Sequence, residues 1–172
     1  MSVGASDRAN LRDQAAQDDT TVAAGTAVAV LGASRKPHRY SNQAVVALKA
    51  HGYEVTPVNP AYDEIEGLPA ARGLAELPRG IHTLTVYVGP YHIRPMIDEI
   101  VALRPQRVIL NPGTESAELE RALDAAGIRY LEACTLVLLA TGQYATAYPS
   151  PRPPPPEPIA AAKAAGRYNR RS

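Results

Sequence analysis

The sequence predicts an α/β fold in which helices cover both faces of a five-stranded parallel sheet. Three observations indicate this fold class. Short apolar or β-branched runs recur five times, helical patterns separate most of them, and Gly or Pro ends nearly every segment. Parallel strands read as continuous apolar runs because the crossover helices bury them on both sides.

The first strand and helix give the clearest pattern. Residues 28–31 (VAVL) form an apolar run that ends at Gly32, and residues 54–58 (EVTPV) form a second strand. Between them lies a helical pattern that Ser41 is placed to cap and whose apolar side includes Val45. A strand that leads into a helix through a small-residue loop presents free backbone N–H groups and the positive helix end to an anion.

The rest of the chain alternates in the same way. The further predicted elements are a strand at 83–88, a helix opened by Pro95, a strand at 107–110, a helix at 115–126 and a strand at 128–131. The crossover at 61–81 shows the weakest pattern, with a short helix at 74–77. Right-handed crossovers then favour a doubly wound, Rossmann-like sheet with the strand order 3-2-1-4-5.

The chain divides into one domain and two tails. Its 172 residues are 45% hydrophobic, which is enough for a single core, predicted at 25–148. Residues 1–24 lack a sustained apolar period and are expected to be a disordered tail. Residues 149–172 open with a proline run and carry five Lys or Arg against one acid, so we expect an extended, basic tail. A protein partner that binds this proline-rich tail is one candidate function.

Charge and cysteine content exclude several classes of protein. The predicted domain carries eleven Lys or Arg against twelve Asp or Glu, which argues against a nucleic-acid partner. Cys134 is the single cysteine, lies in an apolar segment and is expected to pack rather than react. The sequence shows neither a run of membrane-spanning length nor a signal peptide, so we expect a cytoplasmic protein without a membrane segment.

The candidate binding site lies where the strands end, because ligands of such sheets bind beyond the carboxyl ends of the strands. The loops there gather glycines, prolines, amide side chains and a run of three bases. The candidate residues are Gly32, Ala33, Ser34, Arg35, Lys36, Arg39, Asn59, Pro60, Gly89, Pro90, Tyr91, Asn111, Pro112 and Gly113. These groups suit a phosphorylated ligand and offer little for acid–base catalysis, so we predict neither a catalytic residue nor a metal site.

A nicotinamide dinucleotide is the second choice of ligand. The loop after the first strand lacks the full G-x-G-x-x-G pattern, and the second strand ends in Asn59 and Pro60 with no acid to bind a ribose hydroxyl. An NAD(P)-binding domain of a reductase or redox sensor would instead use Arg35 and Lys36 to hold a 2′-phosphate.

The order of four motifs resembles a known family. VAVLGASRKP, PVNP, YVGP and NPGTE follow one another as in the CoA-binding domain proteins, which are stand-alone Rossmann domains related to part of the succinyl-CoA synthetase alpha subunit. The resemblance covers about 25–144 and implies a module that binds coenzyme A, free or acylated, through a small-molecule site. The sequence contains no ATP-grasp partner and no phosphohistidine domain, so the catalysis of the synthetase is not implied.

The resemblance also implies a role for each loop. Gly32, Ser34, Arg35 and Lys36 would meet the diphosphate and the 3′-phosphate. The nucleotide would lie beside Asn59 and Pro60, and the site would be closed by Asn111, Pro112 and Gly113. Adenine or the pantetheine arm would be flanked by Val88, Gly89, Pro90 and Tyr91.

Overall fold

The computed structural model describes residues 22–147. The predicted tails at 1–24 and 149–172 lie outside the described residues, except for residues 22–24. The strands, in chain order, are β1 (Ala27–Leu31), β2 (Glu54–Val58), β3 (Glu64–Ile65), β4 (Leu68–Pro69), β5 (Thr83–Val86), β6 (Arg107–Leu110) and β7 (Arg129–Glu132). The α-helices are α1 (Tyr40–Ala50), α2 (Pro90–Ile93), α3 (Ile97–Leu103), α4 (Ala117–Ala126) and α5 (Thr135–Ala140). Two 3₁₀ turns cover Leu74–Glu76 and Arg94–Met96.

The main sheet has five parallel strands in the order β2-β1-β5-β6-β7. The predicted fold class, a doubly wound Rossmann-like sheet, is confirmed. The strand order needs a correction, because the third strand of this sheet, β5, pairs with β1 and not with β2. In the numbering of the prediction the order is 2-1-3-4-5, which moves the topological switch point to the gap between β1 and β5.

Pro57 is a local indication that β2 lies at an edge, which the predicted order did not allow. A proline in a central strand would leave one neighbour without a donor, so proline within a strand indicates an edge. The carbonyl oxygen of Pro57 accepts a hydrogen bond from the N–H of Ala71 (2.9 Å), in the segment that covers the outer side of β2. The missing N–H at Pro57 therefore agrees with the position of β2 at the edge of the five-stranded sheet.

Two apolar clusters, one on each face of the sheet, form the core. On one face the alternate strand residues Val28, Val30 and Ile109 pack against α1 and α5. On the other face Leu31, Leu84, Val86 and Leu110 pack against residues of α2, α3 and α4. Burial on both faces is the physical reason that the strand sequences read as unbroken apolar runs.

Several element bounds differ from the prediction. The helical region after β5 begins at Pro90, five residues before Pro95, and α4 begins at Ala117 with Ser116 as its N-cap, whose hydroxyl accepts from the N–H of Leu119 (3.3 Å). The fold also begins before Gly25. Val22 is buried and its N–H donates to the carbonyl oxygen of Ala145 (2.9 Å).

The last described residues are tied to the sheet by a buried arginine. Arg107 is fully buried, and its Nη1 donates to the carbonyl oxygens of Tyr144 and Ala147, at 2.9 Å each. Its guanidinium also lies 4.7 Å from the centre of the Tyr144 ring. Among the described helices, none is long and apolar enough to span a membrane.

Candidate functional site

Gly32 brings the loops after β1 and β5 into contact at the switch point. Its φ of +83° lies in the left-handed region, and a Cβ there would be 2.7 Å from Cγ1 of Val88 and 3.2 Å from the carbonyl carbon of Tyr87. A side chain at this position would therefore be strained and would collide with the neighbouring loop. The N–H of Gly32 donates to the carbonyl oxygen of Val58 (3.0 Å), which also fixes the loop to the end of β2.

The four loops predicted from the sequence lie side by side at one edge of the sheet. The Asn59 side chain after β2 donates from Nδ2 to the carbonyl oxygen of Ala33 (2.7 Å). On the other side, the loops after β5 and β6 approach each other, since a Cβ on Gly89 would lie 4.0 Å from the carbonyl oxygen of Gly113. The order β2-β1-β5-β6 thus places the loop after β1 near the centre of this group.

The loop between β1 and α1 leaves some of its backbone donors free. Within the described residues, the N–H groups of Ser34 and Arg35 donate to no acceptor. The N-cap of α1 is Arg39, which makes no side-chain cap, and the first turn contains no acid. The predicted cap, Ser41, is wrong, because this serine is buried within the first turn. The positive end of this eleven-residue helix therefore has neither a cap nor an acid of its own, and it lies beside two free N–H groups.

Three bases lie on this loop. Arg35, Lys36 and Arg39 are exposed, and none of them forms an ion pair with a described carboxylate. The Arg35 guanidinium lies 5.5 Å from the centre of the Tyr62 ring, on the segment after β2. Sequence reasoning missed Tyr62. Its position three residues after Asn59, at a strand end, is the signal that could have indicated it.

The two predicted asparagines hold the loops through their own side chains. Asn59 uses Nδ2 on Ala33, and its Oδ1 accepts from the N–H of Ala61 (2.9 Å). Asn111 is 2% exposed, and its Nδ2 donates to Oγ1 of Thr85 (2.8 Å) and to the carbonyl oxygen of Val86 (3.0 Å). The remaining atom, Oδ1 of Asn111, accepts from the backbone N–H of the first residue of α5 (2.8 Å). Both side-chain amides therefore fix the loops by hydrogen bonds within the protein.

The loops after β5 and β6 differ in what they expose. Tyr91, in α2, is 86% exposed, and its ring meets the His92 ring edge-on at 5.4 Å. Val88 is half-buried beneath Gly32. In the loop after β6, the N–H of Gly113 is occupied, because it donates to Oε2 of Glu115 (2.8 Å).

Two titratable groups beyond the strand ends, Tyr87 and Cys134, are half-buried. Burial raises the pKa of the Tyr87 phenol, which therefore stays protonated at neutral pH. Cys134 is half-buried at the residue that precedes α5. Among residues 22–147, no group of three or more His, Cys, Asp or Glu side chains could hold a metal ion. A shallow depression elsewhere lies between α3 and α4, where Arg94 pairs with Glu118 (3.1 Å).

Comparison with known proteins places this geometry in a family. The profile of the CoA binding domain family matches residues 26–140, about two thirds of the chain. The chain belongs to the CoA binding domain family. The resemblance found in the sequence is thereby confirmed, and every predicted site residue lies inside the matched segment.

Individual relatives agree with the family assignment. A Thermus thermophilus protein of solved structure is 32% identical, with a TM-score of 0.64, and the match covers 78% of this chain and 97% of that one. The Bacillus subtilis (strain 168) uncharacterized protein YneT is 38% identical over 60 residues, which are 35% of this chain and 44% of that protein. At 23% identity and a TM-score of 0.55, the fold alone is shared with the dinucleotide-forming acetyl-coenzyme A synthetase 1 of Ca. Korarchaeum cryptofilum. That match covers 64% of this chain and 26% of the synthetase.

Proposed function

We propose that the carboxyl edge of the sheet binds the phosphates of coenzyme A, free or acylated. The observation that carries this proposal is the open start of α1, where the free N–H groups of Ser34 and Arg35 meet an uncapped helix end. Three exposed bases without described carboxylate partners lie on the same loop. An anion satisfies all of these groups together, and membership of the CoA binding domain family favours CoA as that anion.

The loops divide the ligand between them in this proposal. Gly32 allows the close approach of the backbone, while Arg35, Lys36 and Arg39 share the diphosphate and the 3′-phosphate. The Tyr62 ring, stacked near the Arg35 guanidinium, limits the positions that this base can take. Tyr91 offers an exposed aromatic face to adenine or a surface to the pantetheine arm. In this proposal Asn59 and Asn111 support the site indirectly. Their side chains fix the loops and do not touch the ligand.

We propose further that the protein acts by binding alone. The edge supplies backbone donors and bases, and Glu115, a carboxylate located there, is engaged by the N–H of Gly113. A protonated phenol at Tyr87 is a poor general base at neutral pH. In this proposal the candidate binding residues all lie between Gly32 and Gly113.

Thermal melting in the presence of candidate ligands tests the proposal. CoA at a hundredfold its dissociation constant should stabilise the protein by about 2.7 kcal/mol, which gives a clear rise in Tm. NADH and NADPH at the same concentration should give little or none. A larger shift with either dinucleotide would favour the NAD(P)-binding alternative, and mass spectrometry of ligand released from the purified protein would separate free from acylated CoA.

A further inference from the structure

The hairpin that follows β2 contains a residue in an unfavourable backbone conformation. Strands β3 and β4 are joined by Glu66 and Gly67, whose φ angles are +53° and +73°. Two-residue turns with positive φ at both positions favour Asn, Asp or Gly at the first. Gly has no Cβ to clash, and the short Asn or Asp side chain can bond to the nearby backbone. Glu66 therefore departs from this preference, and its side chain bonds to a residue outside the turn.

Asn42 holds it. The Nδ2 atom of Asn42 donates to Oε1 of Glu66 (2.7 Å) and also to the carbonyl oxygen of Ser34 (2.8 Å). Asn42 is only 2% exposed and lies in the first turn of α1. Its amide thus uses one N–H on the hairpin and one on the loop that leads into the helix. A second bond, from Nζ of Lys49 to the carbonyl oxygen of Glu66 (3.1 Å), fixes the hairpin to α1 independently of Asn42.

The bond to Ser34 sets the direction of a free donor. The peptide between Ser34 and Arg35 is trans, so its C=O and its N–H point in opposite directions. Because the C=O points at the buried amide of Asn42, the N–H of Arg35 points away from it, and this N–H has no acceptor among the described residues. Rotation of this one peptide would turn the N–H away and present a carbonyl oxygen to the ligand.

We infer that Glu66 is a positioning residue for the anion site, acting through Asn42 on the peptide between Ser34 and Arg35. This inference rests on the proposed binding of CoA phosphates at that loop. The hairpin of β3 and β4 is an addition to the alternating strands and helices, and this inference gives it a role in ligand binding. It also gives a reason for a carboxylate beside the first turn of α1, where a negative charge opposes an anion. The oxygen of Glu66 is needed as an acceptor, although its charge opposes the ligand.

Substitutions at Glu66 separate positioning from charge, because the two effects have opposite signs. If only charge mattered, any neutral residue would strengthen CoA binding. Positioning predicts that Glu66→Gly weakens CoA binding by roughly tenfold, since one charge-assisted bond that orients the loop is lost. Glu66→Gln keeps an oxygen acceptor for Asn42 and should bind CoA as tightly as wild type or more tightly. Glycine also suits the positive φ, so the Gly variant should remain folded.

Calorimetric titration of CoA into the full chain carries out the test, with Lys49→Ala as the matched control. Lys49→Ala removes the other bond between helix and hairpin and should leave CoA affinity within twofold, an expected change of under about 0.5 kcal/mol. In ¹⁵N spectra without ligand, the amide of Arg35 should shift in Glu66→Gly and stay near its wild-type position in Glu66→Gln. A wild type that binds CoA together with a Gly variant that binds it equally well overturns this inference alone. A wild type that does not bind CoA overturns the proposed function, and this inference with it.

Discussion

Replacing Gly32 by alanine should destabilise the protein strongly. The loss should exceed that of the same substitution at a glycine with a similar φ but no atoms near the added Cβ. At Gly32 the added Cβ would lie 2.7 Å from Cγ1 of Val88 and 3.2 Å from the carbonyl carbon of Tyr87, at a φ of +83°. The left-handed conformation costs a non-glycine residue about 1 kcal/mol. Displacing the crowded neighbours adds roughly 1–3 kcal/mol, so the free energy of unfolding should fall by about 3 kcal/mol in total.

Gly25 provides the control for this prediction. Its φ is +82°, and a Cβ there would have no atom within 4 Å, so Gly25→Ala carries the strain without the collision. Urea denaturation followed by circular dichroism should show a loss of about 1 kcal/mol for Gly25→Ala. Adding Val88→Ala to Gly32→Ala should recover part of the larger loss, because the nearest colliding atom is removed. Equal losses at the two glycines would refute the close approach of the loops after β1 and β5.

Three further predictions concern charge, pH and the tail. The triple substitution Arg35→Glu, Lys36→Glu and Arg39→Glu should weaken CoA binding by roughly a hundredfold in calorimetry. It should weaken dephospho-CoA binding less and leave Tm nearly unchanged. A folded variant that binds CoA as tightly as wild type would show that the phosphates do not bind at this loop. Burial raises the pKa of Tyr144 to about 12 from an ordinary 10, so stability is full below pH 10 and falls as the pH rises toward 12. Tyr144→Phe should show a smaller fall in denaturation across that range, and an identical fall would assign it to other groups. Deleting residues 149–172 should change neither Tm nor CoA affinity, and a clear loss of either would show that the tail contributes to the domain.

The sequence was sufficient for those strands and loops that a clear local pattern determines. The strand Arg107–Leu110 was predicted with its observed bounds, because an apolar run lies between Pro105 and Asn111. The four strand-end loops followed from the same periodicity together with the rule that ligands bind at the carboxyl edge. The family resemblance rested on the order of motifs in these loops.

The order of the strands was not predicted correctly, although a local signal for it existed. Pairing between strands joins residues far apart in the chain, and apolar periodicity does not distinguish one neighbour from another. Pro57 did carry the information, since it indicates that β2 lies at an edge. This indication from Pro57 depends on which side of β2 the missing N–H would face.

The finer parts of the site depend on contacts between distant segments. Arg35 and Tyr62 come together only because the loops after β1 and β2 are neighbours. The bonds of Asn42 to Ser34 and Glu66 connect three segments, and nothing in the composition of the hairpin indicates them. For the same reason the sequence could not show that both polar atoms of Asn111 are used inside the protein.

An NMR titration of the ¹⁵N-labelled chain with CoA tests the central claim most directly. If CoA phosphates bind at the open start of α1, the largest amide shifts should belong to Ser34, Arg35 and the first residues of that helix. Smaller shifts should appear after β5, around Gly89. Shifts confined to the depression between α3 and α4, or no shifts at saturating CoA, would contradict the account.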